Sequence, residues 1–169
     1  AQKLGCVPKA VSAEAQIEAE AEALEQLFDQ LLALLQRTET DMTLFFRGLA
    51  EVPLVKAESA GERLMTPLPL DREGPLPAPL QNAYYGDVSD AVKGALMDWL
   101  TDYQQILVRL QIGDPSRREL MNQVNPKYVL RNYLAQEAID LAVEGDSSRL
   151  QELLNVLKQP YTDQPGAEH

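Results

Sequence analysis

The sequence predicts an all-α domain of about six helices in an orthogonal or bundle-like arrangement, and three observations carry that expectation. Apolar residues fill 45% of the 169 positions, Leu and Ala dominate them, and aromatics reach only 6%. Such a balance favours packed helices over sheets, which draw on β-branched and aromatic side chains. Apolar residues also recur at three- and four-residue steps, in stretches bounded by helix-capping and helix-stopping residues.

The elements follow in order. Residues 1–11 read as irregular, with Gly5 and Pro8. Ser12 is a candidate N-cap for a stretch free of Gly and Pro that runs to Arg37. Glu14, Glu18, Glu20, Glu22 and Glu25 crowd its first half, where negative charge suits the helix dipole. Leu24, Leu27, Phe28, Leu31, Leu34 and Leu35 form its apolar stripe. Thr38 or Thr40 can cap a second helix through Leu49, with Met42, Phe45, Phe46 and Leu49 as its bulky face.

Residues 51–82 contain Pro53, Pro67, Pro69, Pro75, Pro77 and Pro79, with Gly61 and Gly74. These block a long helix. The segment reads as a long loop lying over the domain, anchored by Leu64, Met65, Leu68, Leu70, Leu76 and Leu80, with room for one short helix.

The second half is more regular. A helix from about Val88 to Leu110 presents Val92, Leu96, Trp99, Leu100, Tyr103, Ile106 and Leu107, with Gly94 as a weak point. Asp114-Pro115 reads as an N-cap followed by proline at the first helical position, opening a short helix to about Gln123. Asn125-Pro126 repeats that pattern, with Val124 and Val129 spaced as a hydrophobic staple, and its helix runs to Glu144 with Gly145 beyond it. Asp146 or Ser147 caps a last helix bearing Leu150, Leu153, Leu154 and Leu157, which Pro160 stops. The whole reads as a single helical domain over 1–169, with a flexible tail at 161–169.

Composition limits the function. Acidic residues outnumber basic ones 26 to 15, for a formal charge of −11. That field repels phosphate backbones, so no nucleic-acid partner is expected. Nor is a membrane, because no apolar run approaches the ~20 residues that span a bilayer. The lone Cys6 cannot form an internal disulfide, and with His169 it makes no zinc set. Phosphate-binding Gly-rich loops and a G-x-S-x-G elbow are missing from the sequence. No catalytic, cofactor-binding or metal residue is therefore assigned.

One segment stands out, Met121 to Gln136. Arg131, Asn132 and Gln136 sit there among apolar residues. Asn132 and Gln136, four apart, can share a helix face and form a buried polar network that fixes how the helix docks. Arg131 can alternatively clamp a phosphate or carboxylate.

Asn125-Pro126-Lys127-Tyr128-Val129-Leu130-Arg131-Asn132-Tyr133-Leu134-Ala135-Gln136 resembles the C-terminal N-P-x-x-V-L-R-N-x-L-A-Q signature of the selenoprotein O (SelO/YdiU) family. The likeness continues through Ala138-Ile139, Glu144-Gly145-Asp146, the helix at Leu154 to Leu157, and Pro160 to Pro165. Upstream, Lys3-Leu4-Gly5, Asp41 to Arg47 and Asp98-Trp99-Leu100 are also similar, while the proline-rich middle is unmatched.

The resemblance implies a segment of a kinase-like pseudokinase that transfers AMP from ATP to protein Ser, Thr or Tyr hydroxyls with Mg2+ or Mn2+. It also implies that the nucleotide and metal residues lie upstream, outside this sequence. The chain would then be a catalytically inert, structural and regulatory C-terminal piece with no cofactor of its own. Its partners would be its own kinase-like catalytic domain and the parent's protein substrates. Its compartment would be the cytoplasm in a bacterium or the mitochondrion in a eukaryote. Family members usually continue into a P-P-x-W-G stretch and often a terminal Cys or selenocysteine; this sequence ends at His169 without either, and Cys6 is not that residue.

Two other readings compete. A free-standing helical interaction module would dock partners on the Phe45/Phe46 helix or the Trp99/Tyr103 face. A small enzyme would use Arg131 with a nearby carboxylate.

Overall fold

Leu24, Leu27, Leu31, Leu34 and Leu35 are all buried, so the stripe read from the sequence is a true packing face. It belongs to α1 (Glu14–Leu35), which lies against α4 (Asp90–Arg109). The computed structural model describes residues 2–6, 14–57 and 65–167, and side chains within α1 from residue 20 onward. The expected cap Ser12, with Pro8, Gly61, Leu64 and His169, lies outside the described residues.

From α4, Val92, Leu96, Trp99, Leu100, Tyr103, Ile106 and Leu107 join the same core. Each buried aliphatic of this kind contributes about 1.5–3 kcal/mol. The Trp99 indole N–H donates to the Leu27 carbonyl at 2.8 Å, which fixes the register of the two helices. Ser89 caps α4 by accepting from the Val92 amide.

Helix α2 (Met42–Glu51) is capped by Asp41, not by Thr38 or Thr40. The Asp41 carboxylate accepts from the Leu44 amide at 3.0 Å. Thr40 instead turns its hydroxyl back to the carbonyls of Leu35 and Thr38, closing the end of α1. Phe45, Phe46 and Leu49 are buried.

Among its described residues the proline-rich stretch holds two short strands and a short helix. β1 (Val55–Ala57) and β2 (Met65–Pro67) pair antiparallel, Lys56 opposite Thr66, and α3 (Ala78–Gln81) is the short helix expected there. The expected loop missed this small sheet. Gln104 of α4 holds it by donating to the carbonyls of Leu54 and Leu68, both at 2.8 Å. Gly48 meets α3 so closely that a Cβ there would overlap the Pro79 carbonyl oxygen.

Helix α5 (Asp114–Val124) begins one residue earlier than expected: Gly113 is the N-cap and Asp114 the first helical residue. The Asp114 carboxylate is engaged elsewhere, accepting from the amides of Leu54 and Val55. A larger correction concerns the next helix. It does not start at Asn125; residues 125–131 form an irregular strap, and α6 (Asn132–Val143) opens only after it, with Arg131 as N-cap. The Val124/Val129 staple over a helix start therefore does not form.

Gly145 takes φ +91°, the left-handed turn that ends α6. Helix α7 (Ser148–Leu157) follows, its first amide bonded to the Asp146 carboxylate at 2.8 Å. Among the described residues there are thus the six expected α-helices plus α3, a 3-10 turn at Gln2–Leu4 in the stretch read as irregular, and one two-stranded sheet, an all-α domain. No described helix is long and apolar enough to cross a membrane.

Candidate functional site

The strap 125–131 is where distant pieces of the chain meet. Asn125 is buried, and its amide nitrogen donates to the carbonyls of Lys3 at 3.0 Å and Met121 at 2.9 Å. From α2, Arg47 reaches the carbonyls of Asn122 and Asn125, at 3.4 and 3.5 Å. Lys127 pairs with Asp163 at 2.8 Å, and Arg47 approaches the same carboxylate at 3.6 Å. The backbone amides of Lys127 and Tyr128 both donate to the Pro160 carbonyl.

The stretch expected to be a flexible tail is described through Ala167. Gln164 donates its backbone amide to the Tyr128 hydroxyl, and its side-chain amide to the carbonyls of Val156 and Gln159.

At the end of the strap, Arg131 pairs with Asp41. The same carboxylate accepts from the Tyr85 hydroxyl at 2.8 Å. Burial pushes the Asp41 carboxyl upward, but bonds from the Leu44 amide and Tyr85, with the Arg131 charge, outweigh it and hold the group below its ordinary value. Arg131 is thus engaged by a carboxylate of its own chain. Beside this ion pair lies a cavity of about 300 Å³, lined in part by Tyr85, Tyr133, Arg149 and Glu152.

The other singled-out residues separate. Asn132 and Gln136 are exposed, so the buried network expected between them does not form. Gln136 bonds Asp140 one turn on, at 2.7 Å. Pro126 lies within the strap, where its missing N–H costs no helical bond.

Sequence reasoning missed the most buried polar group. Arg117 has no exposed surface. Its guanidinium donates to the carbonyls of Leu49 at 2.8 Å and Val52 at 2.6 Å, at the C-terminal end of α2. It also pairs with Asp114 at 3.0 Å and lies over the Tyr103 ring. The cation thus adds a charged donor to carbonyls at a helix end, where the dipole favours positive charge. Arg117 was hidden because it follows Ser116 and precedes Arg118 in a stretch that reads as solvated. The Asp114–Arg117 spacing of one turn was the available signal.

Tyr103 donates to the Leu4 carbonyl, which draws the chain's start into the core. Cys6 is buried there, and burial pushes its thiol up to about 12. Gly5, at φ +67°, passes within van der Waals contact of Arg117: a Cβ would stand 2.7 Å from its carbonyl oxygen.

A divalent-metal centre does not fit the carboxylates at this cavity. Mg2+ needs several free hard oxygens in octahedral array. The carboxylates at the cavity are already committed, Asp41 to Arg131 and Glu152 to Arg149. The faces suggested for a docking module are closed too, because Phe45, Phe46, Trp99 and Tyr103 are core residues.

A family model described as protein adenylyltransferase SelO matches residues 1–158. The chain belongs to the SelO family. It is 46% identical over 154 residues to a protein nucleotidyltransferase YdiU of Rhodopirellula baltica, which covers 88% of this chain and 27% of that relative. Similar proteins of the same name in Xanthomonas axonopodis and Aromatoleum aromaticum are 42% and 43% identical, over 85% and 84% of this chain and 24% of each relative. The chain therefore spans about a quarter of the length of the curated SelO relatives it matches. Several of the pieces that carried the resemblance, Lys3, Asp41, Arg47 and 125–131, converge on the strap.

Proposed function

We propose that this chain is a structural and regulatory helical segment of a SelO-family protein nucleotidyltransferase that moves AMP from ATP onto protein Ser, Thr or Tyr hydroxyls. The chain itself contributes no catalytic group. ATP and its divalent metal are held by the kinase-like remainder of the protein, and the target proteins bind the whole. The C-terminal position assigned to the segment rests on the resemblance of Asn125 to Gln136 and is part of this proposal.

One observation carries the reading. The signature side chains that could do chemistry are spent on holding this chain together: Asn125 on Lys3 and Met121, Arg131 on Asp41, and Gln136 on Asp140. Side chains engaged in this way position the strap and the helices it joins.

The test is transfer of labelled AMP from ATP to protein, run with the full-length protein and with the 169-residue chain. Labelling by the full-length protein and none by the chain is expected. Labelling by the chain alone contradicts its inert role, and no labelling by a folded, metal-supplied full-length protein contradicts the activity.

A further inference from the structure

Helices α6 and α7 pack mainly on each other, around three buried side chains, Leu134, Ala138 and Leu153. Their outer side is an open apolar groove of about 350 Å³, lined by Leu130, Ile139, Ala142, Leu150, Leu154 and Leu157 among others. Ile139, Leu150 and Leu154 are each about half exposed, at 55%, 49% and 47%. Apolar residues scattered singly over a surface are ordinary, but a continuous groove of them marks a place where something docks.

We propose that this groove receives an amphipathic helix with basic flanks, supplied by the remaining three-quarters of the full-length polypeptide. This deepens the proposed function and rests on reading the chain as one segment of a longer nucleotidyltransferase. Two observations select the occupant. The matched relatives are about four times as long as the span they share with this chain, so most of their mass lies outside it. A tethered element also meets the groove at high effective concentration. Second, the hairpin is acidic. From 132 to 158 it carries Glu137, Asp140, Glu144, Asp146 and Glu152 against Arg149 and Lys158. A second copy docked by a two-fold axis would set this net negative charge against itself, even with Arg149 paired to Glu137 and Glu152. A basic-flanked helix is instead attracted to it and covers the leucines.

Amide hydrogen exchange across α6 and α7, in the full-length protein and in the 169-residue chain, tests this directly. The full-length protein should exchange these amides at least about tenfold more slowly. Ile139→Asp with Leu154→Asp should abolish that difference while leaving the chain's own Tm nearly unchanged, since both side chains face outward. Ile139→Ser with Leu154→Ser serves if the first pair fails to fold. Equal exchange in the two wild-type proteins overturns the proposal, as does a difference that survives both pairs. A chain that runs as a dimer, dispersed by the substitutions, assigns the groove to a second copy and overturns it as well. Because the readout is protection, a full-length protein that is protected but transfers no AMP would defeat the proposed activity and leave the docking intact.

Discussion

Arg117 and Asp114 stand one turn apart at the start of α5, with the guanidinium fully buried and 3.0 Å from the carboxylate. Between them they bind both ends of the connection from α2 to β1: Arg117 takes the carbonyls of Leu49 and Val52, and Asp114 the amides of Leu54 and Val55. Removing one member of such a pair strands the other. Arg117→Met, which keeps apolar bulk, should therefore cost about 3–5 kcal/mol. Urea unfolding at 25 °C measures it, and a loss below about 1 kcal/mol would show that the network is dispensable.

Asp41 links stability to pH. Its carboxyl is held below its ordinary value in the folded chain, so the folded state binds fewer protons than the unfolded one. The resulting stability is present above the unfolded value of about 4 and is lost as pH falls through the lower folded value. Asp41→Asn keeps a good N-cap residue but cannot titrate. The stability gap between wild type and this variant should be widest near neutral pH and close in acid. A gap constant from neutral pH into strong acid would contradict the linkage.

Two helical glycines should respond oppositely to alanine. Gly94 in α4 has open space where a Cβ would go, so Gly94→Ala should stabilise by about 0.5–1 kcal/mol. Gly48 would gain the same helical propensity, but its Cβ would overlap the Pro79 carbonyl. Overpacking of this sort costs about 1–3 kcal/mol, so Gly48→Ala should destabilise on balance. Thermal unfolding of the two variants decides it; two shifts of the same sign would place α3 wrongly.

Cys6 should be inert. Its thiol is buried and pushed up to about 12, which leaves almost no thiolate near neutral pH. Alkylation by iodoacetamide at pH 8 should be at least about a hundredfold slower than for an exposed thiol. Alkylation at the rate of a free thiol would show that the 2–6 segment is not packed on Tyr103.

The helices were legible because Leu24 to Leu35 and Val92 to Leu107 repeat their apolar residues at helical spacing, which burial demands. Gly145 announced the end of α6 by the turn it alone adopts cheaply. What escaped was decided between segments. Asn125-Pro126 looks like a helix start, yet Asn125 is taken by Lys3, over a hundred residues away, and the strap stays irregular. Asp114 resembles a cap until Leu54 and Val55 claim its carboxylate. Of the candidate site, Arg131 and Asn125 could be picked out as unusual, but their partners Asp41 and Lys3 could not. Arg117, amid charged neighbours, gave no sign of being the most buried polar residue.

Calorimetric titration of ATP with Mg2+ into the 169-residue chain asks whether the segment proposed to support a nucleotidyltransferase also binds its nucleotide. Only the heat of dilution is expected up to roughly millimolar nucleotide, the weak end of specific affinity. Saturable binding in the micromolar range, abolished by Arg131→Ala without loss of Tm, would contradict that expectation.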